Sequence, residues 1–390
     1  MNVALFPSAF HPSLGGVEEL VRQLAHQLQD TGHSVMLATN RWPKTLPAVE
    51  KFEGLDLHRY ICRVPDRTWR QMGGSLLFGP GTLRQVCADL QSHKAEVVHI
   101  QCVSSSGYYA VRAARRLRLP LVVTLQGELT MDPSRLFQRS EFAKSMMREA
   151  LAAADVVTGC SAHTLAEGEA FFGKSFGDRG RVVFNGVRCA DFHGVEPYRH
   201  PRPYLFALGR HAPQKGFDVL LRSLARLKQE GEETHDLLLA GDGPERADLE
   251  KLAGELGLSE RVKFVGRADH EEAVRLFLGC SFFVLSSRAD EGLPVVSVEA
   301  LAAGKAIVAT RSGGTPEAVE DGVNGLIVPR DDEPALTEAL RRMLRDPEMR
   351  GRMGEANALH ARAFDWSSIT DRYLEAYRKA CEGARRPVAA

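Results

Sequence analysis

The stretch that decides the fold begins Phe282-Phe283-Val284-Leu285 and continues Ser286-Ser287-Arg288-Ala289-Asp290-Glu291-Gly292-Leu293-Pro294. It ends Val295-Val296-Ser297-Val298-Glu299-Ala300-Leu301-Ala302-Ala303-Gly304. The first four residues predict a buried strand, the polar run a loop, and the remainder a helix opened by Pro294 and closed by Gly304. A strand feeding a buried helix is the repeating unit of a parallel sheet covered on both faces. The helix is apolar nearly all round, which predicts burial, yet it carries Glu299. An unpartnered buried carboxylate is costly, so Glu299 needs a donor from the protein or from a ligand. Glu291 stands in the loop before it, beside an anion site made by the Gly292 and Leu293 amides at the helix start. A ligand with both phosphate and hydroxyls suits this arrangement. A capped core helix with a locally bonded glutamate explains the same stretch without one.

The same alternation extends in both directions. Strands are expected at Val3–Phe6, Val35–Ala38, Val97–Ile100, Leu121–Leu125, Val156–Thr158 and Val182–Phe184, with a helix over 16–31 whose apolar residues fall at helical spacing. After a proline-rich change of character at Cys189–Pro203, strands recur at Tyr204–Leu208, Leu237–Ala240, Val262–Val265, Phe282–Leu285 and Ala306–Ala309. The expected organisation is an N-terminal Rossmann-like domain (1–187), a linker (188–203), a C-terminal Rossmann-like domain (204–365), and a last helix (366–390) crossing back to the first domain. At 390 residues two cores are affordable. Tandem doubly wound domains imply a cleft, with ligands at the carboxyl ends of strands.

Several loops fall at those ends. Pro12-Ser13-Leu14-Gly15-Gly16 precedes the first helix and permits close approach of an anion, although a Gly-Gly pair is also a plain turn. Gly209-Arg210-His211-Ala212-Pro213-Gln214-Lys215-Gly216 projects two cations from one loop, as a diphosphate needs. Gly241-Asp242-Gly243-Pro244, Ser312-Gly313-Gly314-Thr315-Pro316-Glu317 and Asn185-Gly186-Val187 read as turns, and Phe264-Val265-Gly266-Arg267 as a candidate floor for a nucleobase.

In this combination and order the chain resembles the retaining glycosyltransferases of family 4, which have the GT-B fold. The resemblance implies an α/β architecture of two tandem Rossmann-like doubly wound domains. It also implies a nucleotide-sugar donor (a UDP- or GDP-sugar), a hydroxyl acceptor, and roles for named residues. Arg210, Lys215 and Glu291 are the implied catalytic set: the cations hold the donor diphosphate and Glu291 meets hydroxyls of the transferred sugar. Glu299 is implied at the ribose, Val265 and Arg267 at the base, and Gly15, Gly16, Gln126, Gly209, Gly292 and Leu293 in the rest of the donor site. The family commonly places a histidine after the strand Leu121–Leu125, where this chain has Gln126-Gly127-Glu128. Gln126 exchanges hydrogen bonds but does not titrate near neutrality. His11 and Glu128 are alternatives for a proton-handling role, with surface or capping roles as their plainer explanation.

The absence of an Asp-x-Asp cluster at an expected strand end predicts no essential metal and no cofactor beyond the co-substrate. Competing functions are a GT-B sugar phosphorylase or epimerase, a non-catalytic nucleotide-sugar-binding descendant, and a two-domain binding protein. Formal net charge is zero, which argues against a nucleic-acid partner. Residues 1–190 carry 22 Lys and Arg against 17 Asp and Glu, and the rest carry 28 against 33. Arg112-Ala113-Ala114-Arg115-Arg116-Leu117-Arg118 is either a solvated basic face or a dock for anionic lipid or an acidic acceptor. Seven scattered cysteines with no paired spacing fit a reducing compartment. With no signal peptide or membrane-length apolar run, the expected location is the cytoplasm, with peripheral contact at the inner membrane face.

Overall fold

Two parallel sheets carry the architecture of the computed structural model, which describes residues 1–13, 15–65, 69–131, 135–232 and 234–384. Leu14 of the first glycine loop lies outside the described residues. The chain divides into two compact units, 1–184 with 366–390, and 185–365.

In the first unit the strands are β1 (Asn2–Pro7), β2 (Ser34–Asn40), β3 (Val49–Phe52), β4 (Leu55–Tyr60), β5 (Val97–Gln101), β6 (Leu121–Leu125), β7 (Val156–Gly159) and β8 (Gly180–Val182). They lie in the order β3-β4-β2-β1-β5-β6-β7-β8, parallel except for the β3–β4 pair. The central strands are apolar on both faces because helices cover both. The expected strand Val182–Phe184 forms instead at Gly180–Val182. Both β3 and β4 escape the sequence reading, as does the helix Trp69–Ser92, which runs through Gly73, Gly74, Gly79, Pro80 and Gly81. The closing helix, Trp366–Ala384, packs on the helix Gly16–Asp30 and on β6 and β7.

In the second unit the strands are β9 (Tyr204–Leu208), β10 (Asp236–Ala240), β11 (Val262–Gly266), β12 (Phe282–Leu285), β13 (Ile307–Thr310) and β14 (Gly325–Val328). Their order is β11-β10-β9-β12-β13-β14, all parallel. The core joins Leu205, Leu239, Phe282, Val284 and Val308 of the sheet to Leu220, Leu221 and Leu340 of flanking helices. Residues 188–203 fold with this unit and include the short helix Cys189–Phe192.

Candidate functional site

The second sheet reverses direction between β9 and β12: the chain leaves β9 toward β10 on one side and returns to β12 on the other. In open α/β sheets, ligands lie outside the carboxyl ends of strands at such a point. Loops 209–216 and 286–294 meet there. Arg288 N and Ala289 N donate to Gln214 O at 2.9 and 3.3 Å, and Ser286 Oγ donates to Lys215 O at 2.9 Å. Gly216, at φ +62, makes the crossing possible, since a Cβ there would stand 2.3 Å from Ser286 O.

Inside this frame Lys215 Nζ donates to Glu291 Oε2 at 2.7 Å, with both side chains largely shielded from solvent. Ser287 Oγ donates to Glu291 Oε1. The buried carboxylate is therefore met by a cation and a hydroxyl, as its burial requires. Its backbone is fixed as firmly: Gly314 N donates to Glu291 O at 2.9 Å. Asp290 Oδ1 accepts from Gly313 N at 2.9 Å and pairs with Arg330 at 2.8 Å. Leu293 O accepts from Asn185 Nδ2 at 2.9 Å, so Asn185, expected only to turn the chain, anchors the loop that carries Gly292 and Leu293.

Arg210 is exposed and has no hydrogen bond or ion pair among the described residues, in contrast to Lys215 on the same loop. The neighbouring Arg288 is committed to structure through Asp218 and Asp331 at 3.1 and 2.7 Å. Gly209 is pinned by Gly241, where a Cβ would lie 1.9 Å from Gly209 O. Val265 is half-buried on β11, and exposed Arg267 stands 3.7 Å from Asp242. His211 is fully buried against Phe217 and Phe264, and neither ring nitrogen has a partner among the described residues. Burial holds that ring below its ordinary pKa, in the neutral form.

Two expectations for the helix are corrected. It spans Val295–Ala302, so Pro294 is its cap rather than its first residue. Glu299 is half-buried, not buried, and already interacts with protein groups. The reason is partial cover: Val298, Ala300 and Leu301 face the core, while Val295, Val296 and Ala302 are half-exposed with it.

In the first unit, Gly15 caps the helix Gly16–Asp30. The Glu18 carboxylate lies over it, 2.5 Å from where a Cβ would stand, and accepts from Ser13 Oγ at 3.1 Å. This loop end thus already carries negative charge. Gln126 is buried; its Nε2 donates to Gln101 Oε1 at 3.2 Å, and Gln101 Nε2 donates to the Tyr373 hydroxyl at 3.2 Å. Glu128 accepts from Gln126 N at 2.7 Å and Val103 N at 3.2 Å, which ties together the loops that follow β5 and β6. Burial raises its pKa against the pull of those amides. His11 is exposed, with its ring against Phe52. Among the described residues no cluster of His, Cys, Asp or Glu could hold a metal ion, and no helix is long and apolar enough to cross a membrane.

The sequence reading missed Ser287, Asn185 and Gln101 as supports of site residues. Ser287 lies two residues beyond the end of β12, the one local signal available; Asn185 and Gln101 lie 108 and 25 residues from their partners.

Known proteins match this chain along most of its length. The family described as Glycosyltransferase Family 4 matches residues 14–191, and Glycosyl transferases group 1 matches residues 191–360. An alpha-D-kanosaminyltransferase of Streptomyces kanamyceticus is 28% identical over 386 residues, covering 92% of this chain and 98% of that one. A D-inositol 3-phosphate glycosyltransferase of Streptomyces avermitilis is 36% identical over 192 residues, 47% of this chain and 41% of its own. The crystal structure of Anabaena Alr3699/HepE in complex with UDP superposes with a TM-score of 0.76 at 19% identity, covering 96% and 99% of the two chains. At that identity the likeness carries the fold.

Proposed function

The chain belongs to the family 4 glycosyltransferases, with the GT-B fold, and from that premise we propose that it moves a sugar from a nucleotide diphosphate to a hydroxyl with retention of configuration. The observation that supports this most is the Lys215–Glu291 pair at 2.7 Å, which joins two glycine-locked loops at the switch point of the second sheet. Lys215 and the uncommitted Arg210 neutralise the donor diphosphate and the leaving nucleotide. Glu291 orients hydroxyls of the transferred sugar while Ser287 holds its other oxygen. Glu299 meets the ribose, Val265 and Arg267 flank the base, and the Gly292 and Leu293 backbone leads the phosphate to the helix start. Gly16 and Gln126 are the first unit's candidates for binding sugar and acceptor. The leaving phosphate takes the acceptor proton on the face it departs from, so catalysis is positioning and electrostatic stabilisation. Glu291, held by Lys215, is spent on binding rather than on acid–base work.

A UDP-sugar is the first donor to try, because HepE is described with UDP and with UDP-glucose. Thermal unfolding with UDP-, GDP- and ADP-sugars is expected to show stabilisation by one nucleotide class. Lys215→Ala is expected to lower turnover by ~100-fold or more, by analogy with loss of one oxyanion donor. No shift with any nucleotide, or near-normal turnover of the variant, refutes the assignment. The two cations stand in for a divalent ion in this reading, so full turnover is expected in chelator; loss that magnesium restores would show a metal requirement.

A further inference from the structure

The first unit holds a cavity of about 510 Å³ between the helix Trp69–Ser92 and the helix Ser105–Leu117, lined by none of the residues assigned above to the donor site. Its size falls in the range of about 300–1,000 Å³ typical of small-molecule sites. Both helices connect parallel strands of the same sheet, β4 to β5 and β5 to β6, so they run in the same direction. Gly79 approaches Tyr109, where a Cβ would stand 3.4 Å from the hydroxyl, and Arg84 and Arg116 line the cavity about one to two turns further along their helices. Between those two points the wall changes character over ~11 Å of helix. One end is apolar, made by Leu76, Pro80, Tyr108 and Tyr109; the other carries Arg84 and Arg116, with Arg112 between them over the Tyr108 ring.

The cations are not equivalent. Arg112 lies over the Tyr108 ring at 3.5 Å and pairs with Glu149 at 3.0 Å, and Arg115 takes the other Glu149 oxygen at 2.7 Å. The basic helix is therefore partly neutralised on its Glu149 side. Arg84 and Arg116 are exposed, line the cavity, and have no ion pair among the described residues. At the apolar end Leu76 lines the cavity and is 79% exposed, leaving apolar surface for a ligand to cover. Charge at one end and apolar wall at the other match one chemistry.

We propose that this cavity binds a single-chain anionic amphiphile, its phosphate or carboxylate between Arg84 and Arg116 and its hydrocarbon chain along Leu76, Pro80, Tyr108 and Tyr109. The site is a binding site in its own right and does not depend on the transferase assignment; an acceptor borne on such a lipid would link the two.

Dodecyl phosphate below its micellar concentration is the probe, titrated into the full chain beside dodecanol and inorganic phosphate. The expected result is saturable binding of dodecyl phosphate, roughly tenfold or more tighter than either control, as a paired charge and a buried chain together require. The doubly substituted Arg84→Glu, Arg116→Glu chain is expected to lose roughly tenfold in affinity. Its melting temperature and nucleotide response should not change, since both side chains are exposed and lie outside the proposed donor site. Equal affinity for dodecanol, equal affinity for inorganic phosphate, or indifference to the charge reversal overturns the proposal. Adsorption to anionic vesicles without binding of the monomeric probe also overturns it and assigns the surface to a membrane. Because nucleotide response is read in the same chains, failure here is distinct from failure of the transferase assignment.

Discussion

At the strand ends of the second unit backbone packs on backbone, whereas at those of the first unit side chains hold side chains. Gly216, Gly241 and Gly313 each stand where a Cβ would come within 2.3 Å of a carbonyl on the crossing loop. The loops bearing Arg210, Lys215 and Glu291 are thereby locked to one another without large side chains, and the charged groups project from a rigid frame. In the first unit Gln126 is held through Gln101 to Tyr373. Beside it buried His99 bonds the Tyr377 hydroxyl at 2.8 Å and Thr124 Oγ1 at 2.7 Å. The difference teaches where each unit tolerates change. A main-chain lock fails with one methyl group, while a polar network loses one bond at a time.

The sharpest attempt to break this contrast is Gly313→Ala. The residue sits at φ +49 with Glu291 O 1.8 Å from its would-be Cβ, so the loop must move. The expected cost is upwards of ~3 kcal/mol, with nucleotide binding lost, measured by denaturant unfolding and thermal shift. A variant of unchanged stability and affinity would show that the lock is dispensable. Tyr377→Phe probes the network instead. It leaves a His99 nitrogen unpartnered in a fully buried position, with an expected loss of about 1–3 kcal/mol in the same unfolding experiment. A loss as large as that of Gly313→Ala would erase the distinction between the units.

The smallest effect is on pH. Burial lowers the His99 pKa from 6.5 to about 3, so the folded state disfavours the protonated ring. The associated stability is present above pH 6.5 and is lost as pH falls from 6.5 toward 3, about 1 kcal/mol over the first pH unit. His211 and His235 shift in the same direction, for the same first cause, burial. His99→Gln is expected to flatten the acid slope of the unfolding midpoint; an unaltered slope would place the titration elsewhere.

The two-domain α/β architecture followed from local signals: apolar runs of strand length, helical periodicity, and glycine or proline at strand–helix junctions. Those signals also marked the loops that carry Lys215 and Glu291, because loops at strand ends are punctuated by the residues their backbones need. Where local preference and final structure disagree, the reading failed. The glycines and proline of the helix Trp69–Ser92 speak against a helix, yet the segment is helical and packs on the helix Ser105–Leu117. Strand β3 is a short edge strand and β4 its inner neighbour, both with polar, alternating residues, and β4 hides Arg59 by pairing it with Glu50.

The sequence alone dictated which residue types stand at each strand end, since backbone propensity and side-chain periodicity act over a few neighbours. Only the tertiary structure decided that Lys215 pairs with Glu291 while Arg210 does not, and that Asn185 holds Leu293. It also decided that Glu299 is half-covered. These are contacts across 76 and 108 residues and the burial of one helix face. They depend on which loops the sheet order brings together, and no local preference encodes that.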